Sequence, residues 1–225
     1  MKHLKLLAAA GLLLLGAAGC KKEVQNDPLP AIAALSVFNA VPDAPPLSIY
    51  LNTNKIEEDS LLYKGDIPYI TAYAGPRQLI AYKSGAKVID KAITLSQGKF
   101  YSAFLTGNYS TADVTLLQDS LFAPAVGKVN LRFVNMSNGS PSLDLAINTG
   151  ANVITGRTYK ANSAFISIEG NKQYNFVIRE TGSTVNKVVI PAVNLVAGHN
   201  YTIWTRGIHT GTDGAALGAE VILNY

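Results

Sequence analysis

Asn39-Ala-Val-Pro-Asp-Ala-Pro45-Pro-Leu47-Ser-Ile-Tyr-Leu-Asn52 aligns without gaps on Asn135-Met-Ser-Asn-Gly-Ser-Pro141-Ser-Leu143-Asp-Leu-Ala-Ile-Asn148, at an offset of 96 residues. A second block, Leu95-Ser-Gln-Gly98-Lys-Phe-Tyr101-Ser-Ala-Phe104-Leu-Thr-Gly107, aligns on Leu195-Val-Ala-Gly198-His-Asn-Tyr201-Thr-Ile-Trp204-Thr-Arg-Gly207 at an offset of 100. Two blocks in the same order, with offsets differing by only four, imply tandem copies whose loops differ slightly in length. The join falls near residues 124–128. The 225 residues therefore divide into two domains of about 100 residues, 34–125 and 126–225, and not one large one.

Within each copy the chain breaks into short β-branched and aromatic segments, such as 35–39, 47–51, 78–82, 87–95 and 101–106, separated by Gly, Pro, Asn and Asp. No long helical stripe interrupts them, so the pattern is all-β. Strands of this length in units of about 95 residues predict a seven-stranded antiparallel β-sandwich in each copy. Hydrophobic residues make up 48% of the chain and charged residues 15%, below the roughly 25% of an average globular protein, which excludes overall disorder. The single cysteine, Cys20, excludes an intramolecular disulfide and a multi-cysteine zinc site. Each core must then rest on alternating inward side chains and on corner devices. Tyr101 and Tyr201 each stand three residues after a glycine at the start of a strand, the place of a tyrosine corner.

The opening block and the later turns resemble the bacterial family named domain of unknown function 4397. Asn39, Pro42, Asp43, Ala44 and Pro45 match the family's opening motif, and Tyr69, Gly75, Gly98 and Tyr101 match its later turns, over a stretch from about Leu35 to the C-terminus. Two departures stand out: Ser48 replaces the family's strand aspartate in the first copy, and Asn138-Gly139-Ser140 replaces Pro-Asp-Ala in the second, where Asp144 keeps the aspartate. The resemblance implies immunoglobulin-like β-sandwiches on secreted or lipid-anchored proteins and brings no established activity.

At the N-terminus, Lys2 and Lys5 precede an uncharged run of 13 residues, 6–18, rich in leucine and alanine. That run is too short for a membrane-spanning helix, which needs about 20 residues, and has the profile of a cleaved signal peptide. Ala17-Ala18-Gly19-Cys20 resembles the lipobox of bacterial lipoproteins, with Ala17 where leucine is preferred. The expected organisation is a signal peptide over 1–19, a lipidated Cys20 opening a Pro- and Asn-containing tether over 20–33, and the two sandwiches. Removal of Lys2 and Lys5 lowers the formal charge from +4 to +2, which, with scattered Lys and Arg, argues against a nucleic-acid partner. Lys21 follows the cysteine in place of the aspartate that resembles an inner-membrane retention signal, so an outer-membrane anchor in a Gram-negative envelope is expected.

Chemistry-bearing motifs are sparse. His199 takes a turn position held by Lys99 in the other copy, and His209 falls in a loop, so no metal site is expected from them. No Gly-x-Ser-x-Gly and no phosphate-cradling lysine loop occurs, and no cofactor is implied. Glu57-Glu58-Asp59 could offer oxygens to calcium but lacks the alternating spacing of a calcium loop, and a solvated connection is the plainer reading. Phe104 and Trp204 occupy equivalent places, on the face of their strands shared with Ser102, Thr106, Thr202 and Arg206. They are either a stacking platform for sugar rings or, as the burial habit of large aromatics favours, packed under a neighbouring strand or between the domains. The expectation is a non-catalytic envelope binding, adhesion or structural module for a protein or surface polysaccharide. The alternative is an envelope enzyme that uses carboxylates such as Asp43 or Asp144 at the sandwich ends.

Overall fold

A computed structural model describes residues 29–148 and 150–224. The expected signal segment, Cys20 and most of the tether lie outside the described residues. Among those described, no helix is long and apolar enough to cross a membrane.

The chain is all-β. The first half contributes β1 (Ile32–Asn39), β2 (Ser48–Leu51), β3 (Asn54–Lys55), β4 (Asp66–Tyr73), β5 (Gly75–Lys83), β6 (Ala86–Leu95), β7 (Phe100–Thr106) and β8 (Asp113–Asp119). The second repeats this order with β9 (Lys128–Asn135), β10 (Leu143–Ile147), β11 (Asn152–Arg157), β12 (Ile166–Glu169), β13 (Lys172–Glu180), β14 (Asn186–Leu195), β15 (Asn200–Arg206) and β16 (Gly218–Leu223). Each half forms two four-stranded sheets, β4-β1-β7-β8 over β3-β2-β5-β6 and β12-β9-β15-β16 over β11-β10-β13-β14. Each half thus has eight strands where seven were expected, the extra one in the first half being the two-residue β3. The first strand begins at Ile32, two residues before the expected domain start. Pairing is antiparallel except for β1 with β7 and β9 with β15, which run parallel.

Three apolar clusters order the layers. The first lies between the two sheets of the first half, around Leu35, Ile49, Leu79 and Leu105. The second does the same for the second half, around Leu131, Leu145, Phe176 and Ile203. The third gathers Phe38, Ala40, Phe104, Val134, Met136 and Trp204, residues carried on β1, β7, β9 and β15 or directly after them. It therefore lies between the sheets β4-β1-β7-β8 and β12-β9-β15-β16, and residues Ala31–Tyr225 form one compact unit. Four sheets are stacked face to face. This explains the burial patterns: β1, β7, β9 and β15 are buried on both faces because their sheets are inner layers, whereas β6 and β14 alternate because one face meets water.

Both tyrosine corners form. The Tyr101 hydroxyl accepts the Ser96 N–H at 3.1 Å, and the Tyr201 hydroxyl accepts the Val196 N–H at 3.0 Å. The intervening Gly98 and Gly198 sit at φ 70° and 88°, where a Cβ would be strained, so the chain can reverse sharply enough for the phenol to reach back.

Candidate functional site

Phe104 and Trp204 meet in the third cluster, with ring centroids 5.5 Å apart, and Phe38 stacks on Phe104 at 4.8 Å. They are 0% and 1% exposed, so neither ring offers a face to a ligand in this arrangement. The reason is that the outward side of their strands is covered by the other sandwich, and burying large rings there contributes roughly 1.5–3 kcal/mol each. Beside the rings runs a buried polar clasp. Asp119 at the end of β8 accepts from Arg132 Nη1 of β9 at 2.5 Å, from Tyr69 at 2.7 Å and from Ser102 at 2.8 Å. Arg132 Nε donates to Thr202 at 3.1 Å, and its guanidinium lies 5.0 Å over the Phe165 ring. Burial and the neighbouring Asp119 charge push the Tyr69 phenol well above its usual range, so it stays a neutral donor. A buried ion pair of this kind contributes little net stability but admits one register, because any other leaves a charge unpaired.

The carboxylates expected as alternatives are already engaged. Asp43 accepts the Tyr109 N–H at 2.9 Å. Asp144 accepts from Thr181 at 2.6 Å and from Asn152 Nδ2 and the Gly156 N–H, each at 2.7 Å. Glu57 accepts the Ile49 N–H at 2.8 Å and so ties its loop to β2, and burial raises its carboxyl above the ordinary value. Glu58 and Asp59 are exposed, and among the described residues no group of three His, Cys, Asp or Glu side chains could hold a metal ion. His209 lies 3.1 Å from Glu180, and His199 sits edge-on to Tyr201 at 6.4 Å; the two histidines do not converge on a common site.

The open concavity lies elsewhere, on the solvent face of the outer sheet of the first sandwich. Along β2 the residues alternate, with Ile49 and Leu51 in the core and Ser48 and Tyr50 outward; β5 likewise buries Leu79 and Ala81 and turns Ile80 and Tyr82 outward. Register places Ser48 opposite Tyr82 and Tyr50 opposite Ile80. The two half-buried phenol rings meet edge to face at 5.2 Å and, with Asn52 and Ser84, line a cleft of about 540 Å³. That volume is in the range of small-ligand sites. No charged side chain lines it. Nearby, Lys87 pairs with Asp90 at 2.7 Å, and Lys55 lies 3.9 Å from Glu57 and donates to the Glu58 carbonyl at 2.8 Å.

The corresponding face of the second sandwich is closed. Asp144 stands opposite Arg179 and Ala146 opposite Val177, the same four positions, and all four are buried. Arg179 Nη1 donates to the Gly150 carbonyl at 3.1 Å, and the Asp144 bonds to Asn152 and Gly156 hold the same segment down. Tyr50 and Tyr82 were not singled out by sequence. The available signal was the alternation of β2 set against the repeat alignment, in which Tyr50 falls on Ala146 and Ser48 on Asp144.

The family described as "Domain of unknown function (DUF4397)" matches residues 33–146, which spans the first sandwich and the first two strands of the second. The match ends well short of the C-terminus, and the altered opening motif Asn138-Gly139-Ser140 of the second half lies within it. No curated protein matches the chain. Among solved structures, one described as "Alpha-glucan binding by a streptococcal virulence factor" is similar over 76% of this chain and 92% of its own, at 12% identity and a TM-score of 0.25.

Proposed function

The chain belongs to the DUF4397 family, and on that premise we propose that it is a lipid-anchored, non-catalytic binding module of the cell envelope. Its partner is a protein or a polysaccharide, held in the cleft of the first sandwich. The observation that carries this reading is the contrast between two equivalent faces: on one, Asp144 and Arg179 are buried and bonded to strand β11 and the turn before it, and the other, lined by Tyr50 and Tyr82, stands open. A concave surface with aromatic walls and a few polar groups is what a ligand needs for burial and orientation. The carboxylates Asp43 and Asp144 are occupied by donors of the chain itself, which favours binding over catalysis. The lipobox-like Ala17-Ala18-Gly19-Cys20 supports attachment through Cys20, and Lys21 supports the outer membrane of a Gram-negative envelope.

The experiment is to incubate the full chain, purified in mild detergent, with isolated cell envelopes, measuring retention and soluble products together. Retention without release of products is expected. Release of reducing ends or peptides that grows with protein concentration would establish the enzyme alternative. For the anchor, radiolabelled palmitate should enter the wild-type chain and be lost in Cys20→Ala; equal labelling of both would overturn the lipidation at this residue.

A further inference from the structure

We propose that the Tyr50–Tyr82 cleft takes a neutral polysaccharide, with sugar rings lying against the two phenols; this rests on the binding-module reading above and names its ligand class. The two halves supply the argument, because they use the same four positions differently. In the second sandwich these positions are buried, and Asp144 and Arg179 engage the protein itself, the former through Asn152 and Gly156 of β11 and the latter through the Gly150 carbonyl just before it. In the first sandwich both charges are gone. Ser48 stands for Asp144, Tyr82 for Arg179, Tyr50 for Ala146 and Ile80 for Val177. A charged chain or an ionic peptide would find no counter-charge in the lining, and the nearby Lys87 and Lys55 stand beside the protein's own Asp90 and Glu57. What remains is two aromatic rings set edge to face, an aliphatic side chain at Ile80, and hydroxyl and amide groups from Ser48, Asn52, Thr53 and Ser84. Neutral sugar rings present that complement: apolar C–H faces to lie on aromatic carbon, and equatorial hydroxyls to exchange hydrogen bonds with short polar side chains. The cleft is open on its solvent side, so a long chain can pass across it without threading.

The test is affinity electrophoresis of the full chain in gels containing one polysaccharide each: the neutral dextran, laminarin, mannan and galactan, and the acidic alginate and polygalacturonate. Retardation is expected in at least one neutral gel, unchanged between 0.05 and 0.5 M salt to within about twofold, because no ion pairs form. Tyr50→Ala and Tyr82→Ala should each weaken it about tenfold, while Tyr82→Phe keeps the ring and most of the affinity. Thermal midpoints of all variants, measured alongside, separate loss of the site from loss of the fold. Retardation confined to the acidic gels, or neutral binding that survives both alanine substitutions in a folded protein, overturns the proposal. If no polysaccharide retards the chain but envelope retention persists and depends on Tyr50 and Tyr82, the ligand class is wrong and the binding-module reading stands. If retention is also absent, both fall.

Discussion

On the outer sheet of the first sandwich Ser48 faces Tyr82 across β2 and β5, and on that of the second Asp144 faces Arg179 across β10 and β13. Backbone register is the same; the surfaces are opposite. Asp144, with both oxygens bonded to donors from Asn152, Gly156 and Thr181, fastens the edge strand β11 and is itself buried. The first sandwich ties down its equivalent connection differently, through Glu57, which reaches Ile49 with one oxygen while the other is buried without a partner. That loop is anchored to the chain of β2 and leaves the sheet face uncovered. Two halves with the same strand order thus present one closed outer face and one open one, differing in four outward side chains and in the two-residue β3 against the six-residue β11.

The contrast depends on the two halves being held as one body, so the largest effect is expected where they are clasped. Asp119→Ala leaves Arg132 charged and unpaired between inner sheets and should cost about 3–5 kcal/mol in urea denaturation. A loss under about 1 kcal/mol would mean that the two sandwiches are not energetically coupled through this pair. Next comes opening of the closed face. Asp144→Ala removes one acceptor group from three donors, with an expected cost of about 2–3 kcal/mol and faster hydrogen exchange at the Gly156 amide; unchanged exchange there would show that β11 is held by other contacts. Smaller still, Tyr82→Ala on the open face should cost about 1 kcal/mol, the worth of an edge-to-face pair, so that its effect on ligand retention exceeds its effect on stability. The smallest effect concerns Glu57. Burial raises its carboxyl, so folding favours the protonated form: the penalty is absent below the unfolded-state value and is imposed as pH rises through the folded-state value. Glu57→Gln keeps an acceptor for Ile49 and should raise the thermal midpoint at pH 7 but not at pH 3; equal shifts at both would show that the charge is not the cause.

Local pattern carried much of this architecture. Period-two alternation and closely spaced turn residues were sufficient for the all-β class, and the Gly98-to-Tyr101 spacing for the corner that the Ser96 bond confirms. The clasp was not legible, since Asp119 and Arg132 lie on different strands of different halves and only packing of the inner sheets brings them to 2.5 Å. Phe104 and Trp204 show the limit most clearly. Alternation placed them outward from their own sandwich cores, correctly, but outward was the buried side, because a second sandwich covers it. An eighth strand of two residues, Asn54 and Lys55, carries no periodicity at all and could not be anticipated.

Sequence alone determined the fold class and the family, because these rest on local alternation, turn chemistry and short motifs. Which faces meet water was decided only by the tertiary structure. Burial is set by what packs on a sheet from afar in the chain: Phe104 and Trp204, for which packing under a strand or between the domains is the favoured of two readings, lie in the interior between layers, and Tyr50 and Tyr82, which sequence did not single out, line the open cleft.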